Sequence, residues 1–514
     1  MAYDHRMSTG VRMARRRRII ALMMVALGVL AGCRAPAAVT PGIAWEPCES
    51  DGDVVAGDAP SAGTRVLCGR LDVPLDPGDP AAGTVSLAVA RLPARGVRAG
   101  TVVIDPGGPG SSGVDHLIRA GRSPAGLPFA GSHDLVAVDA RGVGASRPSL
   151  RCRTDAERDA ARAADTGDRS AAGIARIEHD HEELALRCRD RIGAAFLSRV
   201  GTDFAVDDLD RVRIALGEGR IGFVGHSYGT RTGIEYARRF PSHVDGVVLD
   251  GVVDPDGDPV DAALAQLGGF GRAFDAFAAD CVRRAGCPLG SRADQAVQRY
   301  REMLAPLRVS PVAVGDRTLS QGDAETATVA ALYRQSTWGR LRGALAGLAR
   351  GEGSDLLALA DSAEGRMPGG GYDATSDAFL AITCADDTRV ADRARWDDYD
   401  ARARRAAPFR DDGRGTGRGP RGICDHWTPA ARPPGAALPV GGWRSDAPAL
   451  VVVTAGDPAT PYAAGIEWAR ENGAGVVTVR GQDHTAVFRG DPCVDDVVSR
   501  YLTDLRVPPG HLTC

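Results

Sequence analysis

Ile221-Gly222-Phe223-Val224-Gly225-His226-Ser227-Tyr228-Gly229 decides how this chain reads. The first four residues form a short apolar run with the character of a buried strand, and a helical pattern follows the last glycine. Between them stands Gly225-His226-Ser227-Tyr228-Gly229, a G-x-S-x-G pentapeptide in the strand-to-turn-to-helix context that such a match needs. Glycines on either side relieve crowding at a sharp turn, so the serine is pushed out above the sheet. The new helix then aims its positive N-terminal end at whatever reacts there. In a chain with 65 glycines the pentapeptide alone would carry little weight; the strand ahead of it is what makes Ser227 a candidate nucleophile.

Working outward, strand-like runs at Thr101–Asp105, Leu135–Asp139, Ile221–Gly225 and Val244–Asp250 alternate with helical patterns, the clearest of them between Thr202 and Gly217. That alternation predicts an α/β architecture with a mostly parallel sheet and crossover helices. From about Val252 to Trp443 the pattern loses its strands. Helical segments are expected near Ala262–Phe277, Ala293–Leu307 and Glu325–Leu348, and irregular loop from Arg402 to Pro434. Strands return at Ala449–Thr454 and Val476–Val479, so the sheet resumes after a long, mainly helical insertion.

A serine that attacks an acyl carbon needs a base and an orienting carboxylate, which at such an elbow follow it in the order Asp or Glu, then His. Asp457 lies just beyond the strand ending at Thr454, in Gly456-Asp457-Pro458-Ala459-Thr460-Pro461, and His484 lies just beyond the next strand, in Gly481-Gln482-Asp483-His484. They are the candidate partners of Ser227, with Asp483 and Asp250 as alternative carboxylates. Two N–H groups must receive the negative charge that develops on the substrate oxygen. One is expected from Tyr228, the residue after the nucleophile. The other is expected from the glycine-rich run Asp105-Pro106-Gly107-Gly108-Pro109-Gly110 that follows the Thr101 strand, with Gly108 the first choice and Gly107 the second. That run lacks the G-x-x-x-x-G-K-[ST] of a phosphate loop, and the chain has no lysine to complete one. Glu178-His179-Asp180-His181-Glu182-Glu183 lacks the H-E-x-x-H spacing and reads as a solvated charged helix. This chemistry calls for no cofactor, and no metal site is assigned.

The 514 residues exceed a single minimal core, and a net charge of −4 excludes a global basic field for nucleic acid. Arg12 and Arg15–Arg18, the apolar stretch Ile19–Leu30 and Leu30-Ala31-Gly32-Cys33 read as a lipoprotein signal, with Cys33 the lipid-modified residue after removal of the segment before it. An anchor there would hold the protein on the outer face of the cell membrane. Of the 11 cysteines, those other than Cys33 form an even set suited to an oxidising compartment. Nearest neighbours suggest Cys48–Cys68, Cys152–Cys188, Cys281–Cys287, Cys384–Cys424 and Cys493–Cys514, although sequence alone cannot fix connectivity.

Together, Asp-Pro-Gly-Gly-Pro-Gly at 105–110, Asp139-x-Arg141-Gly142-x-Gly144-x-Ser146, Gly-His-Ser-Tyr-Gly at 225–229, Leu249-Asp250-Gly251 and Asp457-Pro-Ala-Thr-Pro resemble the secreted bacterial tripeptidyl aminopeptidases and their prolyl-aminopeptidase relatives. The resemblance implies an α/β-hydrolase fold, with core segments at 45–251 and 444–514 and a helical lid at 252–443. It implies peptide substrates and release of short peptides, often tripeptides, from free N-termini. Asp105 departs from the family's usual Asn or His. An exopeptidase must hold an α-ammonium group, and Asp386, placed beside the suggested Cys384–Cys424 bridge, is a candidate carboxylate; a capping or surface role is its blander reading. A carboxylesterase or lipase with the same triad, or a non-catalytic surface lipoprotein, are the competing functions.

Overall fold

Apolar and β-branched runs build the centre of the molecule, which this computed structural model describes over residues 42–48, 66–122, 127–428, 443, 445 and 448–514. The signal read at 1–33 and its Cys33 lie outside the described residues. The strands are β1 Glu46–Pro47, β2 Leu67–Asp76, β3 Asp79–Leu92, β4 Gly100–Asp105, β5 His133–Val138, β6 Ile221–His226, β7 Val244–Asp250, β8 Val312–Val314, β9 Arg317–Leu319, β10 Leu450–Thr454, β11 Gly475–Val479 and β12 His511–Thr513. Among the described residues ten of them form one sheet in the order β1-β2-β3-β5-β4-β6-β7-β10-β11-β12. Pairing is antiparallel from β1 to β5 and parallel from β5 to β12. Strands β6 and β10 are buried along their whole length, which is why they read as continuous apolar runs and not as alternating ones.

Successive side chains point to opposite faces of the sheet. Val103, Val136, Phe223, Val247 and Val451 enter one core, while Val102, Leu135, Val224, Val248 and Val452 enter the other. Helices cover both faces: α1 Gly113–Gly121, α2 Asp155–Ala163, α3 Ala171–Ile192, α4 Ala194–Leu197, α5 Thr202–Ala215 and α6 Tyr228–Arg239 come before β7, and α14 Tyr462–Asn472 and α15 Pro492–Asp504 after β10. All five suggested disulfides are present.

Between β7 and β10 the chain leaves the sheet for α7 Pro259–Val282, α8 Ala296–Leu304, α9 Gln321–Leu332, α10 Trp338–Leu348, α11 Ser354–Glu364, α12 Thr375–Asp386 and α13 Arg393–Ala406. This insert has its own apolar centre, where Phe274 stacks on Phe409 at 4.6 Å and meets Tyr300 edge-on. Ala459, from the loop that carries Asp457, is buried in that same centre.

Three expectations need correction. The insert does contain strands: β8 and β9 form a hairpin whose turn, Val314-Gly315-Asp316-Arg317, places Gly315 at φ 62°. The single helix expected over Glu325–Leu348 is two, α9 and α10, because the polar stretch Arg334-Gln335-Ser336-Thr337 interrupts the apolar period. Irregular loop was expected from Arg402, but α13 runs on to Ala406. The long pair β2 and β3 was not anticipated, although Leu71, Val73, Val85, Leu87 and Val89 alternate as half-buried strands should.

Candidate active site

At the end of β6 the backbone turns sharply, and Ser227 adopts φ 54°, ψ −125° before α6 begins at Tyr228. A non-glycine residue in that region costs roughly 1–3 kcal/mol, which the surrounding structure must hold in place. The hold is visible: the Ser227 N–H donates to the Asp250 carbonyl at 2.8 Å, and the Ser227 carbonyl accepts from Thr230 Oγ1 at 2.6 Å. The loop after β4 presses directly onto this turn. A Cβ at Gly107, where φ is 81°, would lie 2.3 Å from the His226 carbonyl and 3.0 Å from the Tyr228 nitrogen, so only glycine fits. The Gly107 N–H donates to Asp105 Oδ1 at 2.9 Å, whereas the Gly108 N–H has no such commitment among the described residues. This favours Gly108 as the second oxyanion donor. The Tyr228 amide, in the first turn of α6, has no intrahelical acceptor.

Asp139 fixes the far end of that loop, accepting from Ser112 Oγ at 2.8 Å, Val114 N at 3.1 Å and Ala145 N at 2.8 Å. Burial pushes its carboxyl above the usual range, against these donors. Asp105 is pushed the same way by burial, eased by the Gly107 amide.

Asp457 and His484 meet as expected. His484 Nδ1 lies 2.9 and 3.0 Å from the two Asp457 oxygens. Asp457 also accepts from Ala459 N at 2.8 Å, Thr460 N at 2.9 Å and Thr460 Oγ1 at 2.9 Å, so the carboxylate is orientated before the imidazole reaches it. The His484 N–H donates to the Tyr333 carbonyl at 2.9 Å, and the two rings meet edge-on at 5.4 Å. Ser227 joins the pair through β7: beyond Asp250, a Cβ on Gly251 would stand 2.5 Å from Thr460 Oγ1 and 3.5 Å from both Asp457 Oδ2 and His484 Cε1. No described hydrogen bond closes Ser227 onto His484, a contact that in such sites commonly tightens with substrate.

The two alternative carboxylates do other work. Asp483 accepts the Gln335 amide at 2.7 Å, and Asp250 faces His226 and the backbone after His484. Asp386 is also differently employed. Its carboxylate, only 7% exposed, accepts from Thr202 N at 2.8 Å, Thr202 Oγ1 at 2.7 Å and Tyr228 Oη at 2.5 Å, and it lies 3.8 Å from Arg231. These partners satisfy it inside the protein, so it is neither a surface group nor open to a substrate ammonium: it ties the end of α12 to α5 and to the residue after Ser227. In the acidic run of α3, Glu178 accepts the Arg421 amide and pairs with Arg393, and His181 meets the Arg421 carbonyl, so this face clamps the insert instead of facing only solvent. Among the described residues no group of three or more His, Cys, Asp or Glu is arranged to hold a metal, and no helix is long and apolar enough to cross a membrane.

Sequence reasoning missed Tyr333, which sits at the break between α9 and α10, and His116 of α1. Burial first, then the nearby His226 and Arg489, push the His116 imidazole down to about 3. Its rings lie 6.1 Å from those of His226, at the base of the elbow.

The alpha/beta hydrolase fold pattern matches residues 100–491 of this chain. The chain is 39% identical to the serine protease Hip1 of Mycobacterium tuberculosis, over 98% of its own length and all of the relative's. It is 40% identical to carboxylesterase B of the same species, over 93% and 90%. It is 29% identical to the tripeptidyl aminopeptidase of Streptomyces lividans, over 94% and 88%.

Proposed function

The chain belongs to the α/β-hydrolase fold family and is a serine hydrolase, and from that premise we propose that it is an exopeptidase releasing short peptides, chiefly tripeptides, from free N-termini. The observation that carries the catalytic part is the Asp457–His484 hydrogen bond standing beside the strained Ser227 turn. With its proton on Nδ1 held by Asp457, His484 presents Nε2 as base. It takes the Ser227 proton as Oγ attacks the scissile carbonyl, and the Tyr228 and Gly108 amides receive the oxyanion. The same imidazole, now charged against Asp457, protonates the leaving amine. Water then hydrolyses the acyl-enzyme by the reverse proton path.

The restriction to chain ends is assigned to the insert, which reaches the site through Tyr333 at His484 and through Asp386 at Tyr228. An export signal and a lipid anchor at Cys33 complete the reading, which agrees with five disulfides.

A second reading, carboxylesterase, is favoured by the equal similarity to carboxylesterase B. A protein lacking residues 1–33, assayed on a tripeptide p-nitroanilide with a free or acetylated N-terminus and on a p-nitrophenyl ester, separates the two. The exopeptidase reading requires cleavage of the free peptide, resistance of the acetylated one, and loss of both activities in Ser227→Ala. Turnover of the ester alone overturns it in favour of the esterase.

A further inference from the structure

We propose that Asp250 is a positioning residue that sets Ser227 and His484 against one another, the nucleophile through its backbone and the base through its side chain. The inference rests on the assignment of Ser227 and His484 above. Asp250 ends β7, and its carbonyl accepts the Ser227 N–H at 2.8 Å, which holds the serine in its left-handed turn. Its carboxylate points the other way along the site. Oδ2 accepts the Ala486 N–H at 2.8 Å, the Val487 N–H at 2.8 Å and His226 Nδ1 at 3.1 Å.

The segment so held needs holding. Thr485 adopts φ 63° and Phe488 φ 60°, and a β-branched residue in that region is a genuine outlier that relaxes unless its neighbours forbid it. The carboxylate grips the two amides between these outliers, two and three residues beyond His484. Asp495 holds the far end through the Phe488 amide at 3.0 Å. Asp250 is 1% exposed, so its removal leaves the two amides buried without their acceptor. It is not a reserve partner for the imidazole, because His484 Nδ1 is already bound by Asp457. The same residue therefore fixes both members of the pair, and displacing the turn displaces the base relative to the nucleophile.

The test is steady-state hydrolysis of the p-nitrophenyl ester by Asp250→Ala and Asp250→Asn, each normalised to active sites titrated with a fluorophosphonate. A misplacement near 1 Å costs about 10²-fold. In Asp250→Ala kcat per titrated site should fall by roughly 10- to 100-fold with KM little changed. Asp250→Asn, which keeps an oxygen for the two amides, should recover most of the loss. In the unmodified enzyme the Ala486 and Val487 amides should exchange slowly with deuterium. A wild-type kcat per site in Asp250→Ala overturns the proposal, as does an Asn variant as impaired as Ala, or fast exchange of the two amides in the intact enzyme. Should Asp250→Ala fail to fold, the Asn variant and the exchange measurement still decide. An unmodified enzyme that does not react with the fluorophosphonate refutes the nucleophile assignment instead.

Discussion

His116, buried beside the site, is expected to make the folded protein acid-sensitive. Burial and the nearby His226 and Arg489 push its imidazole down to about 3, from an ordinary value near 6.5. Between those limits the unfolded chain binds a proton that the folded protein refuses, so stability falls as pH falls through this window. His116→Gln removes the liability. The difference in melting temperature between His116→Gln and the unmodified protein should therefore shift in favour of the variant as pH drops from 7 to 4. A pH-independent difference would show that His116 is not the titrating group. The residue scale is also where the candidate triad was legible: Ser227, Asp457 and His484 each follow a strand whose apolar run is plain in the sequence, and a strand's C-terminal end is where this architecture gathers its reactive groups. Asp386 shows the limit, since nothing in Thr383-Cys384-Ala385-Asp386-Asp387 says that its carboxylate meets Tyr228 across the molecule.

At the scale of elements, that contact joins three helices. The end of α12 caps the start of α5 through the Thr202 amide and holds the first residue of α6 through the Tyr228 hydroxyl, while Arg231 supplies the opposing charge. Asp386→Ala leaves the Thr202 amide without its acceptor and the Tyr228 and Thr202 hydroxyls without their shared carboxylate, while Arg231 keeps Asp387 and the backbone carbonyl of residue 386. Leaving buried donors without their acceptor in this way costs about 1–3 kcal/mol. The expected result is a lower denaturation midpoint together with a raised KM for the tripeptide substrate, because the insert loses its tie to the residue after Ser227. An unchanged midpoint would mean that the network contributes nothing net. The correction at Gln335–Thr337 belongs to this scale too. Breaking one long helix into α9 and α10 is what brings the Tyr333 carbonyl to the His484 amide.

Over the whole molecule, the insert is fastened to the core by arginine–carboxylate contacts. Arg162 of α2 pairs with Asp323 and Asp361, and Arg414 pairs with Asp165 in the segment between α2 and α3. The Arg414 guanidinium holds the Asp165 carboxyl down at about 2. Its folded value is depressed, so its contribution is present above the unfolded value near 3.9 and is lost as pH falls through about 2. Asp165 is 41% exposed, and after discounting for solvent screening the pair contributes about 1 kcal/mol at most. Asp165→Asn should therefore lower stability by up to about that amount at pH 7 and by clearly less near pH 2, where the folded carboxyl is itself titrating, as read by urea denaturation at the two pH values. A penalty that persists undiminished near pH 2 would assign Asp165's contribution to packing instead of charge.

The sequence by itself determined the α/β class, the strand positions β4, β6, β7, β10 and β11, the chain order of the candidate residues Ser227, Asp457 and His484, and a cysteine set whose nearest-neighbour pairing is the one observed. Strands and the elbow are local features, since a run of buried residues and a turn that tolerates only certain backbone angles each leave a mark within a few positions, while the cysteine pairs, 6 to 40 positions apart, followed simply from proximity along the chain. The tertiary structure alone decided which carboxylate serves His484, that Asp386 is an internal tie, that Asp250 grips the turn after His484, and that Tyr333 borders the base. Those outcomes depend on groups far apart in the chain sharing hydrogen bonds in a water-poor interior, where a carboxylate must be satisfied by whichever donors the packing brings to it.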